Sequence, residues 1–212
     1  LDDYYLMLEG SATSGSNLEW FVTEFFAAEK EQAESQGKSV YDLCNELVAS
    51  TKPDESDIVF LPYLYGSNAN PAAKATLLGM NAWHHRGHIL RAIYEGIVFG
   101  HKKHVERLLN FRDMPDVIRL TGGAARSEVW LQIFADIFQT PVQVPEGTEL
   151  GALGAAMTAG VAVQCFSDYP KAVDQMVHLT RRIEPNRDLA TLYKDKYARS
   201  QAVIEALDSV WG

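Results

Sequence analysis

Cysteine is scarce in this sequence. Cys44 and Cys165 are the only two in 212 residues and have no CxxC spacing, which excludes a zinc knuckle and a disulfide framework and fits a reducing cytosol. Positive charge is also short, with 19 Lys and Arg against 28 Asp and Glu, a formal balance of -9. No Lys/Arg cluster occurs, so neither nucleic acid nor an anionic membrane surface is an expected partner. No apolar run approaches the ~20 residues of a membrane span, and the first residues, "LDDYYLMLEG", lack the basic start and apolar stretch of a signal peptide. Several catalytic signatures are missing too. Without GxxxxGK[ST] or GxGxxG the two best-known phosphate loops are excluded, and without GxSxG a covalent hydrolase is not expected.

What is present is a soluble composition, 47% hydrophobic and 22% charged, in an alternation of strand and helix patterns. "YYLMLEG" reads as a strand. The chain lacks a starting Met and opens close to the body of that strand, so a fragment or processed product is expected. Ser14, Ser16 and Asn17 offer N-caps for a helix carrying Leu18, Phe21, Val22, Phe25 and Phe26, with Trp20, Phe21, Phe25 and Phe26 expected in the core. Val40 to Ala49 is a second helix, and "IVFLPYLYG" is a strand running into the loop Gly66 to Pro71, a candidate functional edge. His85 to Asn110 predicts a long central helix whose Gly96 and Gly100 allow a neighbour to approach closely.

The second half continues the alternation. "DVIRL" is a strand, "VWLQIFADIF" a helix and "PVQVP" a strand. "ELGALGAAMTAG" predicts a helix so small-sided that it should pack tightly against backbone. Asp168 is a capping candidate ahead of Pro170, and Asn186 precedes a last amphipathic helix to about Leu207. One α/β domain with a partly parallel sheet is expected.

Two constellations carry possible chemistry. "LTGGAARSEVWLQIFADIF", Leu120 to Phe138, is a strand end, two glycines, a polar link and a helix. That arrangement gathers free N–H groups and a positive helix end at one point, suited to a phosphate or the polar edge of a nucleotide, although a bare Gly-Gly is more often only a tight turn. His84 and His88 lie at i, i+4, and His101 and His104 at i, i+3, spacings compatible with metal ligation. No carboxylate or cysteine cluster adjoins either pair and the glutamate of HExxH is absent, so partly exposed helix histidines are the better reading, with Lys102 and Lys103 solvated.

A family resemblance covers nearly the whole chain. "ATLLGMNAWHHRGHILRAIYE", Ala75 to Glu95, resembles the C-terminal signature of the FGGY carbohydrate kinases at each fixed position: Gly79, Met80, His88, Ile89, Ala92 and the closing acid. "GSNLEW", "FLPYLYG", "TGGAARSEVWLQIFADIF" and "ELGALGAAMTAG" resemble further family segments in family order. The resemblance implies an actin-like ATPase (ribonuclease H-like) α/β fold with a mixed sheet flanked by helices. Residues 1–212 would be the C-terminal, nucleotide-binding half of a two-domain sugar kinase, lacking its first strands.

The activity implied is ATP-dependent phosphorylation of a pentulose, with L-xylulose the substrate that the wording around "WHHRGHILRAIYEG" favours. Another FGGY kinase acting on L-ribulose, D-xylulose or a polyol, or a non-catalytic nucleotide-binding module, remain as alternatives. By the same resemblance ATP and Mg2+ are required. Adenosine lies against Gly122, Gly123 and Ala124, Ser127 faces the base where the family has Asn, and Gly15 and Glu19 bound the other side. Thr121 stands where the family has Asp, and "GSNAN" replaces the family's GERTP-like loop. The phosphate loop, the sugar site and the catalytic aspartate have no counterpart here, so no catalytic residue is assigned. Partners are then ATP or ADP and a sugar held by the missing half; an unpaired sheet edge would favour association, including a homodimer.

Overall fold

Every residue from Leu90 to Phe99 is buried, although they form consecutive turns of a single helix. A helix buried all round has to be enclosed, and the rest of the chain is arranged to do so. In the computed structural model, which describes residues 6–11 and 13–211, this helix is α4 (Arg86–Leu108). Ahead of it come α1 (Gly15–Phe25), α2 (Ala27–Ser35), α3 (Val40–Ala49), β1 (Val59–Leu61) and β2 (Thr76–Leu78). After it come β3 (Ile118–Arg119), a 3-10 turn (Gly123–Arg126), α5 (Glu128–Phe138), β4 (Val142–Pro145), α6 (Leu150–Ala162), α7 (Tyr169–Met176), β5 (Leu179–Ile183) and α8 (Ala190–Trp211). α1, α3, α5, α8 and β1 all pack against α4. Each fully buried Leu, Ile, Val or Phe in this core contributes about 1.5–3 kcal/mol by leaving water.

Glycine sets how near the neighbours come. A Cβ on Gly96 would stand 2.3 Å from the Phe60 carbonyl oxygen of β1, and one on Gly87 would stand 2.6 Å from the Leu47 carbonyl of α3. Gly100 is looser, with Pro62 at 3.5 Å. The close approach expected of the central helix therefore rests on Gly96, and on Gly87 at its head.

The strands form two small sheets. β1 and β2 pair antiparallel, Val59 opposite Leu78. β4 lies between β3, parallel to it with Ile118 opposite Val142, and β5, antiparallel to it with Val142 opposite Ile183. β2 and β5 were not legible in the sequence. α7 is capped as expected, with Asp168 Oδ1 accepting from Lys171 N at 2.8 Å. Asn186 caps a 3-10 turn that leads into α8.

Four expectations are corrected. Leu6 to Gly10 are not a strand, and Leu6 and Leu8 are exposed; Tyr4 and Tyr5 lie outside the described residues. Of the four aromatics expected in the core, only Phe26 is buried there. Leu18 and Val22 take the inward face of α1, so Phe21 is half-buried while Trp20 and Phe25 meet edge to face on its outer side. α6 contains no buried residue, and Gly151 and Gly154 have nothing within 4 Å of an added Cβ. Among the described residues its main neighbour is α7, so the tight backbone packing expected of it is not present. Lys102 is not freely solvated: it reaches over the rings of Phe138 and Tyr197.

Candidate nucleotide site

The Gly-Gly turn joins β3 to α5. Gly122 has φ +84°, a backbone conformation that glycine adopts without strain. Its carbonyl accepts from Ala125 N at 3.2 Å, tightening the chain into the 3-10 turn. Neither Gly123 N nor Ala124 N has a backbone acceptor among the described residues, and both glycines have open space where a Cβ would stand. The result is a pair of available donors beside an unfilled surface. Arg181 of β5 holds the turn from behind, bonding the Ala125 carbonyl and Glu128.

Ser127 is buried and its hydroxyl is already committed. Oγ accepts from Trp130 N at 3.1 Å, capping α5, and donates to Asn45 Oδ1 at 2.7 Å. Asn45 Oδ1 also accepts from the Tyr94 hydroxyl at 3.0 Å, and the Tyr94 ring stacks on Trp130 at 4.4 Å. Asn45, which sequence reasoning passed over, thus joins α3, α4 and α5. Its signal was slight: a polar residue one turn after Tyr41 on an otherwise ordinary amphipathic helix.

Gly15 is the first residue of α1 and has open space beside it; Glu19 is exposed one turn later. Ser14 holds the N-cap position without capping, because its hydroxyl is engaged with His101 Nε2 at 2.8 Å. Burial, and then the charge of Glu19, push the Tyr41 phenol above its usual range. No hydrogen bond joins Gly15 or Glu19 to the Gly122–Ser127 turn among the described residues.

The Gly66–Pro71 loop is tied at two points. Asn68 Nδ2 donates to the Gly10 carbonyl at 2.7 Å, and Asn70 Nδ2 donates to Asp208 Oδ1 at 2.8 Å. The asparagines of "GSNAN" therefore pin the N-terminal segment and the end of α8.

The histidines have other partners. His84 precedes α4 and is not on it; its Nδ1 accepts from Asn81 N at 3.0 Å and its Nε2 meets Ser56 Oγ at 3.1 Å. His88 is buried, a correction to the exposed reading, and its Nδ1 accepts from His85 N at 3.3 Å. Burial, and then the neighbouring His85 and His84, lower its pKa. His101 is held by Ser14 and His104 by Glu9 at 2.8 Å. Burial pushes the Cys44 thiol up to about 11, which disfavours its thiolate. Among the described residues no group of three His, Cys, Asp or Glu side chains could hold a metal ion. Protein purified without a tag is expected to carry zinc well below one per chain by elemental analysis; stoichiometric zinc that is lost on His84→Ala would contradict this.

Residues 1–163 match the family model for the C-terminal domain of the FGGY family of carbohydrate kinases. The L-xylulose/3-keto-L-gulonate kinase of Escherichia coli (strain K12) is 37% identical over 207 residues, 97% of this chain and 39% of that protein. The gluconokinase of Bacillus subtilis (strain 168) is 33% identical over 199 residues, 92% of this chain and 39% of that protein. The crystal structure of xylulose kinase from Rhodospirillum rubrum superposes with a TM-score of 0.81 at 28% identity, covering 95% of this chain and 39% of that one. The fold is thus that of the C-terminal part of an actin-like sugar kinase. The chain belongs to the FGGY family of carbohydrate kinases and spans 39% of the length of the curated relatives it matches.

Proposed function

We propose that this chain is the nucleotide-binding half of an ATP-dependent sugar kinase, with the sugar-holding half lying outside these residues. The observation that carries the reading is the open Gly122-Gly123 turn, whose unpartnered N–H groups and missing side chains leave room for adenosine against the backbone. In this reading Gly122, Gly123 and Ala124 form one wall of the site and Gly15 and Glu19 the other, with Ser127 behind the base. The donor substrate is ATP and the acceptor a pentulose, L-xylulose first, supported by the 37% identity to the Escherichia coli L-xylulose/3-keto-L-gulonate kinase. A sugar acid is the second acceptor class, favoured by the gluconokinase at 33% identity.

Phosphoryl transfer of this kind works mainly by positioning and by electrostatic stabilisation. This chain's share is to hold the nucleotide and, in the whole enzyme, to close on the other half. Mg2+ would accompany the nucleotide's phosphates. ADP release coupled to an indicator reaction, measured on the protein complete with its sugar-holding half, tests the substrate. Turnover with L-xylulose exceeding that with D-xylulose, L-ribulose and gluconate is the expected result; preference for gluconate would transfer the assignment to the second class.

A further inference from the structure

In the resembled motif an asparagine at the head of this helix supplies an amide beside the base. Here that position is Ser127, too short to replace it and already bonded at both its proton and its oxygen. An amide nevertheless stands beside it, carried by Asn45 on α3. Ser127 Oγ already accepts from Trp130 N, which leaves its proton for Asn45 Oδ1, and the Tyr94 hydroxyl donates to the same oxygen. Two donors on one oxygen fix which way the amide faces, so Nδ2 points away from both. Nδ2 makes no hydrogen bond among the described residues. It is not one of the sealed unpartnered atoms either, which are Asn17 Oδ1 and Trp130 Nε1, and Asn45 as a whole is half-buried. The group is therefore a fixed N–H donor that is not sealed from solvent, on a side chain bonded to the last residue of the Gly122–Ser127 turn.

We propose that Asn45 is the base-reading residue of this site, donating from Nδ2 to a ring nitrogen of adenine, with Ser127 and Tyr94 acting as its positioning residues. The proposal rests on the nucleotide reading above. Adenine offers ring nitrogens that accept and an exocyclic amine that donates. Because Asn45 Oδ1 is occupied, this amide can only donate, so it addresses a ring nitrogen and leaves the amine to another group. A site built to donate to one atom discriminates against an analogue that lacks it, because the donor is then left without its partner.

The test is calorimetric titration of this chain with ADP, 1-deaza-ADP, 3-deaza-ADP and 7-deaza-ADP, in the wild type, in Asn45→Asp and in Ser127→Ala. Asn45→Asp keeps an acceptor for Ser127 and Tyr94 and replaces the donor with a carboxylate oxygen; the ratio of ADP to analogue affinity is the diagnostic reading, because the added charge acts on both ligands alike. The expected result is that one deaza analogue binds the wild type at least tenfold more weakly than ADP does. Asn45→Asp should lose a similar factor for ADP and no longer distinguish that analogue, and Ser127→Ala should shrink the same ADP-to-analogue ratio. Wild-type protein that binds all four ligands alike overturns the proposal whether or not the variants fold. So does Asn45→Asp that keeps the wild-type preference. Either result leaves the nucleotide reading standing if ADP binds, whereas absence of ADP binding to the wild type removes both.

Discussion

Purified alone, the chain is expected to release no ADP in response to L-xylulose, D-xylulose or L-ribulose. Loss of a general base alone costs about 10²- to 10⁴-fold, and loss of acceptor positioning adds to that. Among the described residues around the Gly-Gly turn, the nearest carboxylate in sequence, Glu128, is paired with Arg181, and Ser127 is bonded within the protein, so neither is free to serve as the base. The uncovered apolar helix α6 adds a second expectation, that the isolated chain associates with itself or with the sugar-holding half. A coupled assay on the isolated chain and on the complete protein measures the difference directly. Sugar-dependent turnover by the isolated chain near the rate of the complete protein would show that catalytic residues lie within these 212 positions.

Glu95→Ala is expected to destabilise the fold by about 3–5 kcal/mol, the range for stranding one member of a buried ion pair. The Glu95 carboxylate is 2% exposed, with Lys196 Nζ at 2.6 Å, Arg91 at 3.5 Å and the Tyr193 hydroxyl at 3.3 Å. Arg91 in turn donates to Thr51 Oγ1 at 2.7 Å and to the Val48 and Thr51 carbonyls, so this one carboxylate ties α4 to α8 directly and, through Arg91, to the end of α3. Removing it leaves two cations facing one another in the interior. For a chain of this size the cost corresponds to a fall in Tm of roughly 6 to 20 °C. Thermal unfolding followed by circular dichroism checks it, and a shift under about 2 °C would mean that water already reaches the cluster.

Glu95 also shows how far the sequence could be read. As the closing acid of the Ala75–Glu95 signature it was visible as a family residue, yet the structure employs it as a buried tie between helices: Arg91 stands four residues before it on the same helix, whereas Lys196 of α8 gave no local sign. The helices with clear apolar periodicity, α3, α4 and α5, were legible because packing and propensity agree there. β5, "LTRRI", was not: it is an edge strand with an exposed, charged face, and its pairing with β4 is decided at long range. The glycine turn was visible as an opening, since missing side chains are a sequence fact. What faces it was not, because Asn45 reaches Ser127 across 82 positions of chain.

The central claim is that adenine nucleotide lies against the Gly122-Gly123 backbone, and titration of ADP into wild type and Gly123→Val tests it most directly. The substitution should spare the fold, because a Cβ at Gly123 meets nothing within 4 Å in the protein itself. Only a bound molecule would be displaced. The account predicts measurable binding by the wild type and a loss of about 2 kcal/mol or more in the variant, roughly 30-fold, with Tm unchanged. Equal affinity in the two proteins, or no binding by the wild type, would contradict it.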